Sequence, residues 1–276
     1  MRFDVALVIF MRRYLITLAA LVAALVVSAS AHSLWVEAKD TAEVGDLQEA
    51  YTFFGHATSS TGIYVPLMDS TYLVTPNGEK LDLNMQTENW LPGYGWMEYL
   101  VADTVLYWPG DYVLASQRAP GVFDMAWHGG ESSPMLYCDS AKAIIHCGEG
   151  EKVHNWDADF PLEITFEEAP YEVESGDNFT VTITYNGEPV SAECYASYWT
   201  WDAHSGPDVQ RGTGDENGTF TVNLNNGGLW VIGAEYDEET PGEWTATYDS
   251  GDHFKTGDQV PYNALHCRST LSLWVR

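Results

Sequence analysis

An all-β architecture of packed sheets is the reading this sequence supports, on three observations. Short alternating, β-branched and aromatic runs recur along the chain. Clusters of Gly, Pro, Asn and Asp separate them, and no long stretch repeats its apolar residues at the helical period of 3.6. The runs at 34–38, 49–54, 71–75, 110–115, 179–185, 194–199, 219–224, 229–235 and 269–275 are each of strand length. Regular short strands with turn signals between them are the pattern of immunoglobulin-like sandwiches.

The segment before the first strand reads as an export signal. Arg12 and Arg13 precede an apolar run over 15–27, which closes on the small-residue pattern Ala29-Ser30-Ala31. That run is shorter than the roughly 20 apolar residues a membrane span needs. Met11 is an alternative start to Met1, no cysteine near the cleavage site is placed to carry a lipid, and no anchor is expected at the C-terminus. The expectation is a protein exported to the periplasm or another extracytoplasmic space, with residues 1–31 removed as a signal peptide.

The remaining residues 32–276 suffice for one large or two ordinary domains. A polar stretch around 152–160 separates two strand-rich halves. The expectation is therefore two immunoglobulin-like β-sandwich domains in tandem, over 32–155 and 160–276. In the second half, Asn186-Gly187 is a strong hairpin signal, because type I′ turns need two residues that tolerate positive φ. The first half reads as less regular, with loops around 89–96 and 121–134.

A net charge of −28 excludes nucleic acid and anionic membrane surfaces as partners, since both repel an acidic protein. It concentrates cations instead. Cys138, Cys147, Cys194 and Cys267 suit an oxidising compartment and allow three pairings. Their division between the halves favours Cys138–Cys147 and Cys194–Cys267.

Cleavage after Ala31 makes His32 the first residue, and an N-terminal histidine offers a metal both its α-amine and its ring Nδ1. The amine titrates near 7.7–8.0 in model peptides, so an ion displaces its proton near neutrality. Were the runs at 33–38 and 49–54 antiparallel neighbours, His56 would approach His32, and Gly55 would let the backbones come close. Three nitrogens around one ion suit Cu²⁺ or Ni²⁺ better than Ca²⁺ or Mg²⁺. His128, in Trp127-His128-Gly129-Gly130, stands in a loop that can fold over a bound ion. His146 reads as structural, His154 and His253 as exposed, and His204 and His266 as residues at a domain interface; His146, His204, His253 and His266 stay open as further ligands.

Catalytic signatures are missing. The sequence has no G-x-S-x-G elbow, HExxH, Walker loop, EF-hand loop or CxxC. The chain is thus read as a binding protein rather than an enzyme. Most of its 11 tryptophans fall in strands or beside glycines, where they fill cores. Trp90, Trp96, Trp127 and Trp201 are the ones expected at the surface.

Four segments resemble the exported accessory proteins of energy-coupling-factor-type nickel/cobalt importers, a family long catalogued as a domain of unknown function. They are Ala31-His32-Ser33-Leu34-Trp35-Val36; Phe53-Phe54-Gly55-His56 with Pro66 and Thr75-Pro76-Asn77-Gly78; the stretch 140–148 with its Ala141-Lys142-Ala143 run; and Leu162-Glu163-Ile164 through Pro170-Tyr171 and 185–190 to Arg268-Ser269-Thr270-Leu271. The short loop before Ala141, the paired cysteines and the many tryptophans depart from that pattern. The resemblance implies capture or delivery of Ni²⁺ or Co²⁺ as cargo, a membrane permease as partner, and metal ligation by His32, His56 and His128. A copper protein or enzyme with an N-terminal histidine chelate, and a carbohydrate-binding or adhesion module, are the two other readings.

Overall fold

A computed structural model describes residues 32–56, 64–91, 95–150, 156–198 and 210–276. The expected signal peptide, His154, Trp201 and His204 lie outside the described residues. In chain order the first strands are β1 (Ser33–Glu37), β2 (Thr41–Ala42), β3 (Leu47–Gly55), β4 (Met68–Val74) and β5 (Lys80–Asp82). They are followed by β6 (Gln86–Leu91), β7 (Gly95–Val105), β8 (Gly110–Arg118), β9 (Gly121–Phe123) and β10 (Met135–Cys147). The second half supplies β11 (Leu162–Phe166), β12 (Asn178–Tyr185), β13 (Glu188–Pro189), β14 (Glu193–Tyr198) and β15 (Gln210–Thr213). It ends with β16 (Thr219–Asn223), β17 (Gly228–Glu238), β18 (Gly242–Thr245), β19 (Gln259–Tyr262) and β20 (Ala264–Val275). The all-β sandwich reading holds, and the only helical pieces among the described residues are 3-10 turns at Met125–His128 and Pro170–Glu172.

Alternation explains the outer strands. In β12, Phe179, Val181 and Ile183 point into the core while threonines face outward, and the Thr180 hydroxyl pairs with that of Thr221 across β16 at 2.9 Å. The Asn186-Gly187 hairpin forms as expected, with φ of 51° and 85° at the two turn residues. The stretch 89–96 is more regular than expected. Its described residues belong to the hairpin strands β6 and β7, whose pairing carries a register shift between Glu88 and Trp90.

A ten-stranded sheet runs through both halves in the order β15-β14-β17-β20-β10-β8-β4-β5, with β2 and β9 also paired to β10. Its middle is the parallel pairing of β10 with β20, from Met135 opposite Ala264 to Ala143 opposite Ser272. Both strands are buried almost throughout, as expected of strands covered on two faces. The sheet β1-β3-β7-β6 covers one face, where Leu34, Val36 and Phe54 meet Leu114, Ala141 and Ile145. The sheet of β11, β12, β13 and β16 covers the other, where Ile164, Phe179 and Ile183 meet Trp230, Ile232 and Leu271. Residues His32–Arg276 make one compact unit.

The expected disulfides do not fit this arrangement. All four cysteines are free. Cys138 and Cys147 stand near opposite ends of the single strand β10, nine residues or roughly 30 Å apart at the rise of a strand. Cys194 is separated from Cys267 by the intervening strand β17, which exceeds the reach of a disulfide.

Candidate metal-binding site

β1 brings His32 to the open end of the packed sheets. All five residues of the strand are buried, because its two faces meet different cores. Leu34 and Val36 face the central sheet, whereas Trp35 stacks on Phe53 at 5.1 Å and packs near Val231. One edge of β1 pairs with β3, and the other edge and its flanking residues receive three side chains of β20. Arg268 donates to the carbonyl of His32, Thr270 to that of Leu34 at 2.7 Å, and the Trp274 indole to that of Ala38 at 2.8 Å. Carbonyls that a buried edge would otherwise leave unpaired are thereby satisfied. Tyr195 adds a hydrogen bond to the Ser33 hydroxyl at 2.7 Å.

The β1–β3 register places Ser33 opposite Gly55, so His32 and His56 become neighbours just beyond the ladder. Gly55 has a φ of 148°, a conformation essentially reserved for glycine, and it turns the chain at the point where His56 leaves β3. The two imidazoles stack with centroids 4.9 Å apart and planes inclined by 24°. Phe54 lies beside them, its ring 6.0 Å from that of His32. Two imidazoles held at adjacent positions of one ion, with metal–nitrogen bonds of about 2.1 Å, would have their centroids at a similar separation.

Beneath the pair is a buried charge cluster that strand patterning did not reveal. Arg268 grips Asp139 through Nε and Nη2 at 2.6 and 2.7 Å, and Arg118 reaches the same carboxylate at 2.9 Å. Burial acts to raise the Asp139 pKa, but Arg268 and Arg118 outweigh it and hold the carboxyl well below the ordinary range. Arg118 lies 5.4 Å from the Phe54 ring and Arg268 5.3 Å from that of Tyr137. Glu235, opposite Arg268 on β17, adds a second carboxylate near these two guanidiniums. An ion held by His32 and His56 would be bound through imidazole nitrogen, which favours borderline ions over hard ones. The signal in the sequence was an acidic residue, Asp139, in the run that forms β10 and a basic one, Arg268, in the run that forms β20. The partners, however, are 129 residues apart.

His128 is not gathered with His32 and His56. It ends the 3-10 turn, exposed, with its ring stacked on Phe123 at 5.4 Å. The loop expected to be free to move is pinned by Asp124, which accepts from the amides of Ala126 and Ser133 and from the Ser132 hydroxyl. Trp127, expected to be exposed, is half-buried and stacked on His253 at 4.0 Å, whereas Trp90 and Trp96 are exposed as expected. His146 is on the opposite face of the central sheet, with Nδ1 2.6 Å from Asp111 and its ring on Tyr171. His266 shares the face of His32. Its Nδ1 pairs with Asp237, its ring lies 4.7 Å from Tyr137, and its buried Nε2 has no hydrogen-bond partner among the described residues.

Among the described residues, no three His, Cys, Asp or Glu side chains converge as a ready-made metal site. A cleft of about 330 Å³ lined by Trp156, Glu167, Glu168, Glu172 and Asp177 belongs to the other half of the molecule, away from the histidine pair. No helix among the described residues is long and apolar enough to cross a membrane.

A family model described as a domain of unknown function, DUF4198, matches residues 29–238. No curated protein matches the chain. Among solved structures, a protein from Corynebacterium diphtheriae described as membrane anchored is 9% identical, covering 85% of this chain and 58% of its own, with a TM-score of 0.22. A marsupial T cell receptor is 8% identical over 86% of this chain and 73% of its own, also with a TM-score of 0.22. The chain thus spans less than two thirds of the length of the first of these.

Proposed function

We propose that this chain, which belongs to the DUF4198 family of unknown function, is an exported transition-metal-binding protein that assists nickel or cobalt uptake by a membrane importer. Processing after Ala31 would free the His32 amine beside its own ring, and His56 would supply the second imidazole. The observation that carries the reading is the stacking of His32 on His56 at 4.9 Å, on a strand end held from both edges. His128 would have to move to join them. Lower pH, or a permease offering competing ligands, would release the ion by taking over its nitrogens. The net charge of −28 would raise the concentration of cations near the protein.

Calorimetric titration of protein beginning at His32 with Ni²⁺, Co²⁺, Cu²⁺ and Zn²⁺ tests this, beside a sample carrying one extra Met before His32. Tight Ni²⁺ or Co²⁺ binding that collapses in the extended sample supports the chelate. Equal binding in both moves the site elsewhere, and no binding in either removes the metal reading. Cu²⁺ preference with turnover of a co-substrate would favour a copper enzyme instead.

A second reading rests on Trp90 and Trp96, which face each other across β6 and β7 and are 51% and 79% exposed. Adjacent exposed indoles can stack on sugar rings. Glycan binding retained in His32→Ala and lost in Trp96→Ala would favour a carbohydrate-binding module.

A further inference from the structure

Cys138 and Cys267 face each other across the parallel pairing of β10 and β20. Both turn toward the same core, where Cys267 is buried among Leu271 and Trp230 and Cys138 packs against them. Paired strands lie about 4.8 Å apart, within the 4.4–6.8 Å that Cα atoms span in a disulfide. Neither of the remaining cysteines competes, since Cys147 is at the far end of β10 and Cys194 lies beyond β17.

We propose that Cys138 and Cys267 are a site of covalent cross-linking, joined as a disulfide by exchange with a protein or small-molecule disulfide in the compartment to which the chain is exported. The Cys138 thiolate attacks one sulfur of the oxidant's S–S bond, forming a mixed disulfide and expelling the first thiolate. Cys267 then attacks the Cys138 sulfur and expels the second thiolate. The two protons lost by the cysteines pass to these leaving groups, so the oxidant leaves as two thiols. The order of attack follows from the surroundings. Cys138 is the less buried of the two residues, and the neighbouring Cys267 thiol lowers its pKa. The Cys138 thiol beside it, together with burial, pushes Cys267 up, which suits the resolving position.

The cross-link has a place in the architecture as well. It closes the one parallel seam that joins the strands of the two halves in the central sheet. The next pair in register is Asp139 opposite Arg268, the charge pair that holds the His32 carbonyl. A disulfide one position away would keep that pair from slipping.

The test uses the full chain, purified without reductant from a host that exports it, and the same protein after reduction and incubation with oxidised glutathione. Free thiols are alkylated under denaturing conditions, and the protein is digested without reductant and mapped by mass spectrometry. The expected result is a linked peptide pair holding Cys138 and Cys267, with alkylation confined to Cys147 and Cys194, a loss of two of the four thiols. Four alkylated cysteines in both preparations, or a bridge between any other pair, would overturn the proposal. Because the mapping is done on the unaltered chain, no variant has to fold for the answer to be read.

Discussion

His56 and Asp139 act on the same few ångströms of chain for different physical reasons. His56 is partly exposed at a strand end, so its loss should leave the fold intact. Replacing it by alanine is expected to weaken Ni²⁺ or Cu²⁺ binding at least about tenfold, or ~1.4 kcal/mol, with an unchanged melting temperature; calorimetry and thermal unfolding together check this. Asp139 is buried between two guanidiniums, and Asp139→Asn should cost about 3–5 kcal/mol, because it leaves Arg268 and Arg118 without their counter-charge. The pH dependence follows from the lowered pKa. A carboxyl whose folded pKa lies below its unfolded value stabilises the fold fully above about pH 4. That contribution is lost as pH falls through the folded value. Thermal melts from pH 6 down to pH 2 should therefore show a steeper acid loss in the parent than in Asp139→Asn.

β1 shows how a strand of five residues can be held without a second partner strand. Its outer edge and flanks receive Arg268, Thr270 and Trp274, so β20 acts through side chains where a ladder would act through backbone. Thr270→Val keeps the shape and removes the donor to a buried carbonyl. It should cost about 1–3 kcal/mol, seen as a lower denaturation midpoint and faster amide exchange in β1. β10 poses the parallel question with Lys142, fully buried in the Ala-Lys-Ala run, where it donates to Glu163 and to the Trp156 carbonyl at 2.8 Å. Lys142→Met alone should destabilise by about 3–5 kcal/mol, and Lys142→Met combined with Glu163→Gln should recover part of that, because the amide oxygen still accepts from the Ala158 and Phe160 amides. Urea unfolding of the single and double variants separates the two outcomes.

The central sheet makes the two halves depend on one another. β20, the last strand, pairs with β10 from the first half and lies against β1 from the beginning of the chain. A protein built this way should unfold in one calorimetric transition, with equal van't Hoff and calorimetric enthalpies. A fragment ending at residue 155 should fail to show it, since it lacks both the neighbour of β10 and the donors that satisfy β1. Two separated transitions, or a folded 32–155 fragment, would show that the halves are independent.

Local chemistry carried much of this in the residue order alone. Alternation marked outer strands such as β12, which have one face in and one face out, and Asn186-Gly187 marked its hairpin, since few residue pairs accept two positive φ angles. The meeting of His32 and His56 was also legible, because two neighbouring runs long enough to pair bring their opposite ends together. Three-dimensional packing settled the rest. Cys138 meets Cys267 rather than Cys147 because a continuous strand keeps its own residues apart while a parallel partner from far along the chain brings a stranger alongside. The Arg118–Asp139–Arg268 cluster arises in the same way, and so does the distance of His128, whose loop Asp124 ties down through hydrogen bonds. Pairing between distant strands leaves no periodic trace in either strand, so it became visible only when the sheets were assembled.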